Sequence, residues 1–281
     1  MAITVQELKP RSTALEVEGM TASQVNAIRR TLLSDVPKLA IEDVEFHLGP
    51  IRDEATSKDY DSSTSMFDEA VALRLGLLPI PTDLSQFRRK SECECGGAGC
   101  VHCQVMFSVD KKGPCTVYAK DVVPLGDSSL AILEPDVPIV RLGARQALLA
   151  YMTAVVGTAR EHAKWQVAHG VGMYPRPHVK IAKKEGCTDA CLKRTAASCP
   201  VKILEFAGGK LSVTDEPKCI FCKACEEVCE HGSIKVTADE EDFFLRFETD
   251  GSLTAREALR FSLKDLKRRF EELREAIQAI P

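Results

Sequence analysis

Seven of the twelve cysteines in this 281-residue chain fall within the 43 residues 187–229. There Cys219-Ile-Phe-Cys222-Lys-Ala-Cys225-Glu-Glu-Val-Cys229 spaces its thiols as C-x2-C-x2-C-x3-C, with Cys199-Pro200 upstream. This is the bacterial-ferredoxin spacing: two-residue gaps let a tight loop bring three sulfurs to three irons, and the last cysteine of the run ligates the other cluster. Cys199, Cys219, Cys222 and Cys225 are therefore expected to hold one [4Fe-4S] cluster. Cys187, Cys191 and Cys229 remain for a second site that lacks one of the usual thiols. Three ligands suit a [3Fe-4S] cluster, or a [4Fe-4S] cluster with Asp189 or water on one iron. A structural zinc site built from Cys219, Cys222, Cys225 and Cys229 is the rival reading, and disulfides are a third.

A second cysteine run, Cys93-Glu-Cys95-Gly-Gly-Ala-Gly-Cys100-Val-His-Cys103, stands apart. Its glycines permit the sharp turns that aim four sulfurs inward, and four thiolates at short gaps suit tetrahedral Zn2+. The alternative is an unmetallated loop open to oxidation. His102 is a substitute ligand, although four cysteines suffice. Cys115, beside Pro114, reads as a small half-buried residue.

Composition limits what these sites serve. The chain is 44% hydrophobic, enough for two or three modules with cores of their own. A net charge of −4 lacks the basic excess of a protein that grips nucleic acid unaided. The first ten residues have neither the basic start nor the apolar core of a signal peptide, and the longest apolar run, 147–157, is too short to cross a bilayer. A cytoplasmic location is expected, where cysteines serve as metal ligands rather than staples.

The elements that must carry these sites are legible from periodicity. Residues 3–8 and 14–17 alternate as two paired strands. Thr21-Ala-Ser-Gln24 has capping-box spacing, and Val25, Ile28 and Leu32 then share a helix face until Pro37; Arg29 and Arg30 flank that face, as a solvated edge or as a partner contact. Residues 40–48 alternate with one parity shift near Asp43, a strand with an irregularity. Residues 51–65 read as a loop, with Asp59 and Asp61 solvated. Residues 66–81 give a short helix stopped at Gly76, with Arg74 packing its stem and keeping its head wet. Residues 104–109, 115–120 and 139–142 read as strands, 147–164 as a long strand-like run, and 171–175 and 178–182 as short extended pieces. Residues 242–248 form a strand, and Thr254-Ala-Arg-Glu257 is a capping box. It opens the longest helix, in which Leu259, Leu263, Leu266, Phe270, Leu273 and Ile277 recur every three or four residues. At about 25 residues this helix extends roughly 37 Å, more than its own sheet needs, so its stripe is expected to meet another subunit.

Four ordered blocks together carry a family resemblance. Asn26-Ala-Ile-Arg-Arg30-Thr-Leu-Leu-Ser-Asp-Val-Pro37 with Ala40-Ile-Glu-Asp-Val44 resembles the dimerisation helix and following strand of the D-type subunits of archaeal DNA-directed RNA polymerases. That family is similar to the third-largest subunit of eukaryotic RNA polymerase II and to the amino-terminal domain of bacterial α. Asp68-Glu-Ala-Val-Ala-Leu-Arg-Leu-Gly-Leu-Leu-Pro79, Glu161-His-Ala-Lys-Trp165 and Glu248-Thr-Asp-Gly-Ser252 resemble the family's later blocks.

The resemblance implies an α+β fold with a discontinuous dimerisation domain (1–40, 150–182 and 235–281). A mixed or β domain with the Cys-rich loop is inserted at 41–149, and a ferredoxin-like iron-sulfur domain at 183–234. It implies pairing with subunit L, contacts with small subunits N and P and with the large subunits, and access to DNA and RNA only through the complex. The residues 93–103 resemble the eukaryotic counterpart's zinc loop with one extra residue in the central gap, and Glu230 follows Cys229 where ferredoxins usually carry proline.

The function expected is a non-catalytic assembly platform. Gly209-Lys210 lacks the residues of a phosphate loop, no Gly-x-Gly-x-x-Gly occurs, and no compact Asp triad suggests a polymerase Mg2+ site. The basic residues between 176 and 194 lack the aromatic interleaving of a nucleic-acid groove. The alternative is a ferredoxin-type electron carrier or the cluster subunit of an oxidoreductase, which leaves the capped helices without a purpose.

Overall fold

Alternation lays down the first hairpin in the computed structural model, which describes residues 2–53, 57–182 and 184–280. Strand β1 (Ala2–Leu8) is exposed throughout, whereas β2 (Ser12–Glu18) buries Thr13, Leu15 and Val17 at period two. Helix α1 (Ala22–Ser34) buries Val25, Ile28 and Leu32 as its spacing predicts. Its capping box is half formed: the Gln24 side chain accepts the Thr21 N–H at 2.9 Å, while the Thr21 hydroxyl pairs with Ser23. Arg29 is half-buried and Arg30 exposed.

Strand β3 (Lys38–Phe46) follows, then β4 (Gly49–Asp53) and β5 (Lys58–Ser62), a hairpin where a loop is expected from the sequence. Its side chains are mostly polar, with one cross-strand pair of large nonpolar or aromatic residues, Ile51 and Tyr60, too little to show an alternation; the residues 54–56 of that stretch lie outside the described residues. Helix α2 (Asp68–Gly76) stops as predicted. Arg74 is exposed, and its guanidinium also donates to the Ile139 carbonyl at 2.7 Å.

Strands β6 (Gln104–Lys112), β7 (Cys115–Tyr118), β8 (Val123–Pro124), β9 (Pro138–Leu142) and β10 (Ala147–Gly157) follow, in a sheet ordered β3–β10–β6–β8 and a β7–β9 pair. The run expected over 147–164 ends at Gly157, and a 3-10 turn (Ala163–Trp165) follows. The two extended pieces expected near 171–182 are one strand, β11 (Ala168–Ile181). It is an edge strand, where Pro175 and Pro177 are tolerated.

The remainder comprises α3 (Asp189–Ala197), the hairpin of β12 (Leu204–Ala207) and β13 (Lys210–Val213), α4 (Ala224–Val228), β14 (Ile234–Thr249) and α5 (Ala255–Gln278). The class is mixed α+β. Two compact units emerge: Met1–Gln6, Ala14–Asn26 and Gly172–Leu245 form one, and Glu7–Thr13, Ala27–Val171 and Arg246–Pro281 the other. The first contains most of a sheet ordered β1–β2–β14–β11.

Within the second unit the sequence blocks that carry the resemblance meet at one irregularity. The register of β3 against β10 slips between Thr153 and Ala154, leaving Glu42 as the extra residue of a bulge. Lys164 reaches into it, donating to the Ile41 carbonyl at 3.0 Å and pairing with Glu42, while its ammonium lies 4.4 Å from the Trp165 ring centre. Trp165 donates to the Val155 carbonyl at 3.1 Å. A Cβ at Gly157 would come within 2.5 Å of that ring, and one at Gly76 within 3.3 Å of the Ile41 carbonyl, so both glycines serve close approach. The last block closes on the start of β3: buried Lys38 pairs with Asp250, whose carboxylate also accepts from Ser252.

Helix α5 opens with the predicted capping box at Thr254 and Glu257. Its buried face uses the small residues Ala255, Ala258 and Ser262, then Asp265. Arg269 lies 2.9 Å from buried Asp35 and 2.7 Å from Asp265, and Arg160 also pairs with Asp35. Burial alone would raise the Asp35 pKa, but hydrogen bonds from Arg160 and Ser34 and the charge of Arg269 hold it below the usual carboxylate value. A carboxyl depressed on folding stabilises the fold fully above its unfolded pKa and loses that contribution as pH falls through the lower folded value. Asp35→Asn is accordingly expected to cost about 2 kcal/mol at neutral pH. It should also flatten the decline in stability below about pH 4, as read by denaturant melts across pH; an unchanged acid limb would refute this role.

Candidate functional site

Three groups of thiols emerge. In the loop at 93–103, Gly96, Gly97 and Gly99 all take positive φ, the left-handed turns expected of them. The sulfurs converge: Cys93 to Cys100 is 3.5 Å, Cys95 to Cys103 is 3.6 Å and Cys100 to Cys103 is 3.9 Å. Tetrahedral zinc with Zn–S near 2.3 Å sets its sulfurs about 3.8 Å apart, so the residues fit a single ion. The Cys93 side chain, followed by the Gly99 N–H, holds Cys95 down at about 6. The N–H of Cys95 lowers Cys93, but the Cys95 side chain outweighs it with burial and pushes Cys93 up to about 12. Thiols this close share their protons until a cation replaces them. His102 is exposed and outside the group.

The ferredoxin-like stretch sorts its seven cysteines into two sets. Cys199, Cys219, Cys222 and Cys225 line one small apolar cavity with Ile203 and Val236. Left-handed Phe221 and Lys223 turn the chain tightly enough to present three of them, and Cys199 arrives after α3. Burial raises the thiol pKa of Cys219 and Cys225, so ionising them requires a cationic centre. Their sulfurs are not drawn together as tightly as those of the zinc-like loop. An apolar cavity ringed by four separated thiols fits a polynuclear cluster, which would bind through all four.

Cys187, Cys191 and Cys229 form the other set, all buried, with their sulfurs within 4.8 Å of one another. Cys229 is thus withdrawn from Cys219, Cys222 and Cys225, which removes the single zinc site those four could have formed. Burial would raise the Cys229 thiol, but the Ser233 N–H, donated at 3.3 Å, brings it below its ordinary value. Asp189 is exposed at the start of α3 and does not join the group. Cys115 is half-buried against the core that holds Leu39, Phe107 and Leu142.

A fourth feature is apolar. Beyond Asp265 the stripe on α5 emerges uncovered: Phe270 is 61% exposed, Leu273 53% and Ile277 57%. The sequence predicts this stripe, whereas the Lys38–Asp250 and Asp35–Arg160–Arg269 pairs escape it; only Lys38 inside the apolar run 36–41 hints at a buried partner.

Comparison with known proteins adds the decisive observation. A family model described as the RNA polymerase Rpb3/Rpb11 dimerisation domain matches residues 14–270. The chain belongs to this RNA polymerase family. Rpb3/Rpb11-type relatives named DNA-directed RNA polymerase subunit Rpo3 match along its whole length. The one from Thermoplasma volcanium is 41% identical, covering 99% of each chain. That of Picrophilus torridus is 40% identical over 98% of this chain and 99% of its own, and that of Methanosarcina acetivorans 36% identical over 97% of each. As an Rpb3/Rpb11-family member the chain is an assembly subunit of RNA polymerase. The match extends well beyond the cysteine-bearing stretches, through α1, β2, β3 and α5, which sets the electron-carrier alternative aside.

Two double variants test the metal assignments. Cys93→Ser with Cys100→Ser should remove about one zinc per chain and no iron. Cys219→Ser with Cys225→Ser should abolish the visible cluster absorbance while leaving that zinc in place, and any exchange of these effects would refute the assignment. Zinc retention in the loop should weaken as pH falls, because protons compete for its thiolates.

Proposed function

We propose that this chain is the non-catalytic platform on which a DNA-directed RNA polymerase is assembled in the cytoplasm. It pairs through α5 with a second, smaller subunit of the L type. It then offers its remaining surfaces to small subunits N and P and to the large subunits. It meets DNA and RNA only through the finished enzyme. The observation that carries the reading is the uncovered stripe of Phe270, Leu273 and Ile277 on α5, which begins where Arg269 ties the helix to the chain's own Asp35. No helix among the described residues is long and apolar enough to cross a membrane, so a membrane-spanning helix does not explain that stripe; a partner helix does.

In this reading the metal sites are structural. The core around Cys199, Cys219, Cys222 and Cys225 is small and rests on short elements, α3, α4 and the β12–β13 hairpin. Four metal–sulfur bonds order such a domain where apolar burial is limited. Loss of the cluster would disorder a docking surface and leave the α5 pairing untouched.

Phe270→Glu with Leu273→Glu should therefore abolish co-purification with the L-type partner without lowering the melting temperature of the isolated chain; retained pairing would refute the interface. Replacing Cys219, Cys222 and Cys225 by serine should spare that pairing and reduce recovery of the large subunits several-fold. Normal assembly of the whole enzyme by this triple variant would refute a structural role for the cluster.

A further inference from the structure

The geometry points to a single thiophilic ion of the Zn2+ type, rather than a second iron-sulfur cluster, as the occupant of Cys187, Cys191 and Cys229. In a cluster each thiolate lies outboard of a different iron, so its ligand sulfurs are spread by the width of the inorganic core. One ion draws its sulfurs to about 3.8 Å from one another. The chain supplies its own comparison. The four thiols of the loop at 93–103 and the three of this trio are each gathered within 4.8 Å. Cys199, Cys219, Cys222 and Cys225 instead line a cavity without such close grouping. The trio follows the single-ion pattern.

Ligand number is compatible with one ion. Asp189 stays outside the group, so the protein brings three thiols here, one short of a full single-ion set. A d10 ion accepts three thiolates and leaves the fourth position to solvent or to a nitrogen donor, and Cys3His is an ordinary structural zinc set. His231, two residues beyond Cys229, is exposed and outside the group, so solvent is left for the fourth position.

The surroundings favour thiolates. Cys191 sits in the first turn of α3, whose amino terminus is capped by Thr188, and the Ser233 N–H donates to Cys229. Binding would release the remaining thiol protons to solvent while the ion takes their place. The result is a staple joining the segment before α3, the first turn of α3 and the segment after α4. Zinc has no redox chemistry, so the staple would survive an oxidant that destroys the cluster. The inference does not depend on the polymerase role.

The test uses the full chain, co-expressed with its partner and purified anaerobically. Zinc and iron are counted in the wild type and in a variant with Cys93, Cys95, Cys100 and Cys103 all changed to serine, which leaves the trio intact. The wild type should hold about two zinc and about four iron per chain, and the variant about one zinc with iron unchanged. Zinc-edge X-ray absorption of the variant should report about three sulfurs and one nitrogen or oxygen. Brief exposure to air should then remove iron and leave that zinc. A wild type with about seven or eight iron overturns the inference, as does a variant without zinc. If the wild type holds one zinc and the variant keeps it, the trio is upheld and the loop assignment falls instead.

Discussion

Helix α5 is longer than the surface its own chain gives it. Twenty-four residues extend about 36 Å. Up to Asp265 the helix turns alanines and a serine toward its support, side chains small enough for close backbone approach. Past that point Phe270, Leu273 and Ile277 repeat at helical spacing with nothing over them. Burying three such side chains is worth on the order of 5 kcal/mol before ordering costs, an amount comparable with the net stability of a domain. The ion pairs around Asp35 hold the helix in place, so that its second half is presented rather than left to fray.

The remaining architecture keeps that presentation rigid. The bulge at Glu42 gathers α2, β3, β10 and the turn at Trp165 through one lysine and two glycines, fixing the strand that follows Pro37 and Lys38. Where the core is thin, thiols take over. The loop at 93–103 has no regular element, only a 3-10 turn (Lys90–Glu92) before it, and the region 187–229 has only short ones. In both, groups of cysteines stand close enough together to hold a metal ion.

How much of this is readable in the residues depends on the range of each interaction. Thiol spacing is local, so the three cysteine groups are foreseeable, including the withdrawal of Cys229 from its own run. Helical periodicity reveals the bare portion of α5, Phe270, Leu273 and Ile277, but not its anchored face, because Ala255, Ala258, Ser262 and Asp265 lie off the leucine stripe and part of the support, Asp35, is far away in sequence. Lys38 and Asp250 meet across 212 positions without local signal. The β4–β5 hairpin is hidden because the single pair Ile51 and Tyr60 is too little to set an alternation, and β11 because two prolines resemble breaks until the strand is seen at an edge.

Amide hydrogen exchange along α5, in the chain alone and with its smaller partner bound, addresses the central claim most directly. The account predicts protection up to about Asp265 in both states, and strong slowing at 266–278, on the order of a hundredfold, only in the complex. Equal protection of 266–278 in the isolated chain and in the complex would contradict it.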